Sequence, residues 1–248
     1  MKRSVFVLST AALGLGLLVS GTPAGAQEEY KNLQILPKDT GKQELLQTMR
    51  AFTDALGVRC DFCHLERVPG DHNSMDWASD DLEHKQIARG MMKMTASING
   101  DLLPEATGEH DGGVQCVTCH RGLPNPRTLD QVLLRTADRD GIETAIAKYR
   151  ELRERFYGTG SYDFSTGSLG KVAQTLAQEK GDLAGALQIV DLNVEMNPEN
   201  AEVFVMRAEL QAANGDDVGA KASVEHALEL DPENRHAKRM LQQMDGGK

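Results

Sequence analysis

Residues 45–64 read LLQTMRAFTDALGVRCDFCH, and in them a helix-period stripe runs straight into a C-x-x-C-H motif. Leu45, Met49, Phe52 and Leu56 recur at three- and four-residue spacings, which puts them on one face of an α-helix. Thr40, with Gln43 three residues on, matches a capping box and predicts the start of that helix. The motif Cys60-Asp61-Phe62-Cys63-His64 returns as Cys116-Val117-Thr118-Cys119-His120, and the two copies consume all four cysteines of the chain. Two thiols at this spacing can add across the vinyl groups of one haem, with the next histidine placed on its iron. The chain therefore reads as all-α at this end, with two covalently bound c-type haems. Cys60, Cys63, Cys116 and Cys119 are the attachment points, and His64 and His120 are the axial ligands.

The same cysteines fit other chemistries less well. A zinc ribbon wants its two pairs about 15–20 residues apart. These pairs lie 56 apart, and zinc gives no reason for a histidine directly after each. A thioredoxin-type site occurs once, inside a βαβ pattern, and nothing around Cys60 or Cys116 alternates like a strand.

The N-terminus agrees with haem attachment outside the cytoplasmic membrane. A basic start, Met1 to Arg3, precedes an apolar run from Val5 to Val19 and then Ala24-Gly25-Ala26, the pattern of a cleaved signal peptide spanning residues 1–26. The run is shorter than the ~20 residues a spanning helix needs, so the mature chain is expected to be periplasmic or secreted, with no integral membrane span. Cleavage removes two basic residues and no acid from a chain whose formal net charge is -10. An acidic surface disfavours nucleic acid and favours redox partner proteins that arrive by electrostatic steering.

Each motif histidine fills one axial position, so a sixth ligand is expected on a helix upstream. Met49 lies eleven residues before Cys60. Asp80 and Glu83 could cap a second helix carrying Ile87, Met91, Met94 and Ile98 on one stripe, with Met92 turned elsewhere. A methionine stripe is ordinarily plain core, because the thioether is a flexible gap filler. A low-spin haem wants a soft ligand, which moves the reading toward one methionine per haem. His72, His84 and His110 compete, whereas His226 and His236 read as surface residues.

Beyond residue 122 neither cysteine nor haem signal appears, and Leu123-Pro124-Asn125-Pro126-Arg127 carries two helix-stopping prolines. The expected organisation is a dihaem module over 27–122, a linker over 123–140 and a helical-repeat domain over 141–248. Asn197-Pro198-Glu199-Asn200 returns as Asp231-Pro232-Glu233-Asn234, and Gly181-Asp182 as Gly215-Asp216, each 34 residues on. Gly185-Ala186 likewise matches Gly219-Ala220. That period is the tetratricopeptide (TPR) one, a helix-turn-helix unit, and about three units are needed to bury a core. Gly141 to Tyr157 and Arg235 to Met244 are helical in pattern and supply flanking helices. Stacked pairs form a surface on which a partner protein can dock.

Asn32 to Gly122 resembles one dihaem half of the tetrahaem cytochrome subunit of photosynthetic reaction centres. The matching pieces are LLQTMRAFTDALGVRCDFCH, SDDLEHKQIARGMMKMTASIN and VQCVTCHRG. The resemblance implies Met49 as sixth ligand of the first haem and Met91 of the second, with Met94 or His110 as alternatives to Met91. The family subunit holds four haems and has no repeat tail, so a photosynthetic role does not follow. The expected function is a carrier of single electrons between a donor and an acceptor, with repeats for docking and no enzymatic activity. The alternatives are a dihaem peroxidase-type oxidoreductase with one open axial site, or an interaction protein with structural haems.

Overall fold

The computed structural model describes residues 30–108 and 112–246, so the expected signal peptide and His110 lie outside the described residues. Among the described residues the fold is all-α apart from one hairpin of two-residue strands. Helix α1 is Lys42–Leu56, followed by a 3-10 turn at Cys60–Phe62. Strand β1 (Leu65–Glu66) pairs antiparallel with β2 (Met75–Asp76), Leu65 opposite Asp76. Helix α2 (Glu83–Ser97) runs through a π turn at Ile98–Leu102 into α3 (Leu103–Thr107), and α4 is the second motif itself, Cys116–His120.

Neither capping expectation in this half survives. Helix α1 is preceded by Gly41 without a side-chain cap, and the Thr40 hydroxyl donates instead to the Pro37 carbonyl at 2.7 Å. Helix α2 is preceded by Leu82, also without a side-chain cap. Asp80 accepts two bonds from the Arg89 guanidinium, both at 2.8 Å, and this fork between two opposite charges outcompetes a single bond to a backbone N–H. The C-terminus of α1 closes on Gly57 in the left-handed conformation (φ 64°). A Cβ there would overlap the Gly122 backbone, and the Gly122 N–H donates to Ala55 O at 2.8 Å. The end of α1 is thereby sealed onto the residues that follow the second motif.

The rest of the chain is a stack of helices: α5 (Leu129–Asp140), α6 (Ile142–Phe156), α7 (Thr166–Gln174) with a π turn at Thr175–Glu179, α8 (Leu183–Met196), α9 (Ala201–Ala213), α10 (Asp217–Leu230) and α11 (Arg235–Gly246). The expected linker over 123–140 is thus too long. Thr128 and Gln131 form a capping box at the start of α5, and Leu129 and Leu133 are fully buried beside Tyr149 and Leu169. The helical domain begins near residue 128, because the prolines stop at Pro126 and an amphipathic helix follows at once.

Helix α5 packs on α6, α7 on α8 and α9 on α10, with α8 against α9 and α11 closing the end on α10. Two legible repeats thus become three helix pairs plus a capping helix, enough to bury two apolar clusters. The 34-residue period is a period of turn chemistry. Gly181 and Gly215 take positive φ, and Asp182 and Asp216 then cap α8 and α10 by accepting from the Gly185 and Gly219 N–H groups at 2.8 and 2.9 Å. Gly185 and Gly219 recur because a Cβ at either would overlap the capping carboxylate. Asn200 caps α9 in the same manner. No helix among the described residues is long and apolar enough to cross a membrane.

Candidate haem-binding site

Beside the first motif lies a cavity of about 1180 Å3, beyond the roughly 300–1,000 Å3 of ordinary small-molecule sites. Met49 and Phe52 of α1 line it together with Cys60, Cys63 and His64. The facing wall is Lys85, Ala88, Arg89 and Met92, one face of α2, and the buried Met75 and the Trp77 indole close it further. The 3-10 turn between the cysteines is held by Cys63 N–H donating to Cys60 O at 3.2 Å and His64 N–H to the same oxygen at 2.9 Å. Both thiols and the imidazole therefore belong to one tight turn against one cavity.

The His64 ring has a defined tautomer. Its Nδ1 lies 3.2 Å from Trp77 O, and a carbonyl can only accept, so Nδ1 carries the proton and Nε2 keeps its lone pair. Burial lowers the His64 pKa, Lys85 lowers it further, and the Trp77 bond opposes both. These effects favour the neutral ring, the form able to bind a metal ion. Burial pushes the Cys63 thiol up, against the Lys85 charge that lowers it. Lys85 itself donates to the Trp77 and Ser79 carbonyls at 2.9 and 2.6 Å, and burial lowers its pKa.

Asp80 organises that wall. Besides the Arg89 fork it accepts from Asn32 Nδ2 at 2.9 Å and lies 3.5 Å from Lys85 Nζ, tying the segment before α1 to α2. The Arg89 hydrogen bonds hold its carboxyl at about 2, burial opposing them and the charges of Arg89 and Lys85 adding to them.

The second motif is helical throughout and is anchored differently. Gln115 caps α4 through a reciprocal box with Thr118. Upstream, Asn99 brackets Val114 with two bonds, Nδ2 to Val114 O at 2.9 Å and Val114 N–H to Oδ1 at 2.8 Å, fixing where α4 begins after the π turn. His120 is buried, and its Nδ1 lies 2.8 Å from Leu123 O. The same carbonyl argument places the proton on Nδ1 and the lone pair on Nε2. Helix α4 packs on α1, so one helix walls both motifs.

The methionines divide by face. Met49 and Met92 line the first cavity, whereas Met91 and Met94 are absent from its wall. Met91 is half-buried and Met94 exposed. Among the competing histidines, His72 pairs with Arg59 at 2.6 Å and His84 stacks on Phe62 at 3.9 Å, its Nδ1 3.0 Å from Phe62 O. Sequence reasoning missed Met75, Trp77, Lys85, Arg89 and Met92 as cavity walls. Lys85, Ala88, Arg89 and Met92 share a helical face, and that spacing was the available signal for most of them. Arg121 caps the C-terminus of α4 in the left-handed conformation. The donor set fits covalent haem at both motifs: paired cysteines, and an adjacent imidazole whose other nitrogen is held by a carbonyl.

A sequence profile described as the photosynthetic reaction centre cytochrome C subunit matches residues 18–151, more than half of the chain. The chain belongs to that family. The photosynthetic reaction center cytochrome c subunit of Thermochromatium tepidum is 38% identical over 104 residues, which are 41% of this chain and 23% of that protein. Cytochrome c-554 of Chloroflexus aurantiacus is 30% identical over 94 residues, 38% of this chain and 21% of that protein. The chain thus matches less than a quarter of the length of these two curated relatives. A solved structure described as the first TPR of Spaghetti (RPAP3) bound to an HSP90 peptide covers 48% of this chain and 89% of its own, at 20% identity and a TM-score of 0.33. The repeat assignment rests on the caps and helix pairs described above. As a member of this family, the chain is a c-type cytochrome with covalently bound haem.

Proposed function

We propose that this protein is a periplasmic or secreted carrier of single electrons, built to hold two covalently bound c-type haems and to dock its partners through a helical-repeat domain. The observation that carries the reading is the matched pair of histidines. Each directly follows a C-x-x-C, and each has Nδ1 donating to a backbone carbonyl, at 3.2 Å for His64 and 2.8 Å for His120. Bound haem supplies the one-electron chemistry. The chain fixes the tautomer of the histidines and the charge around it. Met49, across the first cavity, is the proposed sixth ligand there. Met91, on the side of α2 away from the Lys85–Met92 wall, is the proposed ligand for the second haem, ahead of Met94 and His110. The acidic surface and the repeats select redox proteins, and residues 1–26 direct export.

Redox titration with haem quantification on periplasmically matured protein tests this. Two covalent haems and a methionine-to-iron charge-transfer band are expected, with part of the band lost in each of Met49→Ala and Met91→Ala. An unchanged band in both variants overturns the ligand assignment. Rapid binding of carbon monoxide by one haem of the unmodified protein overturns the carrier reading in favour of an enzyme.

A further inference from the structure

The turn that follows the second motif is gripped from two sides. Arg121 is the one non-glycine residue with positive φ among the described residues (φ 47°), a strained conformation placed between the axial histidine and Gly122. From one side, α1 holds the turn through Gly122 N–H donating to Ala55 O at 2.8 Å. From the other side, the loop between α6 and α7 of the repeat domain reaches in. Ser161 is buried, and its hydroxyl donates to Arg121 O at 2.7 Å. Its Oγ accepts from the Thr159 hydroxyl at 3.0 Å, and its N–H donates to the same hydroxyl oxygen at 3.3 Å, so the serine is rooted in the turn after α6. The result of this turn is that Leu123, itself buried, presents its carbonyl to His120 Nδ1.

On the dihaem reading above, we propose that Ser161 is a positioning residue for the second haem: the repeat domain, through the Ser161–Arg121 bond, sets the orientation and basicity of His120. A carbonyl on Nδ1–H makes the imidazole a stronger donor and favours the oxidised iron. Whatever loosens residues 120–123 weakens that bond and raises the potential at this motif alone. His64 takes its carbonyl from Trp77, within its own half, and has no link to the repeats through this contact. The helical stack is therefore joined by a direct hydrogen-bonded path to His120, whereas the first motif is reached only through α1, so a protein docked on the stack has a mechanical route to the second haem.

The experiment is a spectroscopically resolved redox titration of the full, haem-loaded chain with Ser161→Ala, Ser161→Thr and the unmodified protein. The second haem is assigned as the signal lost in a Cys116→Ser/Cys119→Ser variant. Ser161→Ala is expected to raise the potential of that haem only and to shift its low-temperature EPR g-values, with Ser161→Thr restoring both because the hydroxyl is kept. Equal shifts of both haems, or no shift in a folded Ser161→Ala protein, overturns the proposal. Where Ser161→Ala does not fold, Thr159→Val loosens the same hydroxyl pair, and an unmoved second potential in it overturns the proposal equally. A haem count other than two in the unmodified protein fails the dihaem reading instead, so the two failures are distinguishable.

Discussion

The two halves of this chain achieve stability by different means. Among the described residues of the haem half, Ala55 and Met75 are the buried apolar side chains, whereas Leu46, Val68, Trp77, Ile87, Met94, Leu102 and Val117 are exposed. The repeat half buries two continuous clusters, one around Leu133, Tyr149, Leu169 and Ile189 and one around Phe204, Ala208, Val224 and Ala237. Both halves are helical, so secondary structure does not cause the difference. Paired helices bury each other's stripes, while the stripe of α1 and the Lys85–Met92 face of α2 line a cavity beside Cys60 and Cys63. At about 25 cal/mol per Å2 of apolar surface removed from water, a covalently held macrocycle can supply the burial that this half's own side chains do not.

That contrast is broken most directly by removing the attachment points. With Cys60, Cys63, Cys116 and Cys119 all replaced by serine, residues 30–122 are expected to lose hydrogen-exchange protection almost entirely while residues 128–246 keep theirs. Limited proteolysis followed by mass spectrometry gives the same readout. Equal loss of protection in both halves would show that they fold as one unit.

The next effect belongs to the repeat half. Leu133, fully buried in α5, is expected to cost 2–5 kcal/mol as Leu133→Ala, measured by chemical denaturation, with haem stoichiometry unchanged. A cost below about 0.5 kcal/mol, the range of surface changes, would return residues 129–140 to linker status.

Much of this contrast was legible in the sequence, and the failures have physical causes. The C-x-x-C-H copies and the 34-residue period are local signals, since haem attachment and turn geometry each demand particular residues at fixed spacing. The Met49 stripe was visible for the same reason. Thr40, Asp80 and Glu83 misled because a capping pattern describes one available bond, and Asp80 found a stronger one to Arg89 nine residues on. Helix α5 was hidden behind two prolines. The Lys85–Met92 face of α2 was legible as a helical spacing, but that it and Trp77 wall a cavity follows from the packing of α2 and the hairpin across from α1, which no local pattern encodes.

Asp80 gives the third prediction, specific to the haem half. Asp80→Asn leaves Arg89 and Lys85, whose side chains are 11% and 12% exposed, without their shared carboxylate. The cost is about 1–2 kcal/mol, below a fully buried charged bond because the Asp80 side chain is 31% exposed. Because the folded carboxyl titrates at about 2, below its ordinary value of 3.8, this stabilisation is fully present above pH ~4. It is lost as pH falls toward about 2. Thermal melts from pH 6 downward should show the wild-type advantage shrinking across that window and flat above it. An advantage that grew on acidification would refute the assigned ion pair.

The smallest effect separates the halves by how their helices begin. Asp182 and Asp216 cap α8 and α10, so Asp182→Ala and Asp216→Ala should each cost about 1 kcal/mol in denaturation of the repeat half. The two caps belong to successive repeats, so the double variant should lose close to the sum. Asp216 also lies 3.4 Å from Gln211 Nε2, and Gln211 accepts from the Ser223 hydroxyl at 2.6 Å, so its removal disturbs α9 as well as α10 and is expected to be the costlier of the two. Helices α1 and α2 begin without a side-chain cap, so no comparable loss is available there. Introducing a cap as Leu82→Asp should instead add up to about 1 kcal/mol, provided the haem half's stability is carried by packing around the cavity and not by the entry to α2. A destabilised Leu82→Asp protein would show that Leu82 is needed for packing, and would move the boundary of the apolar wall one turn upstream of Lys85.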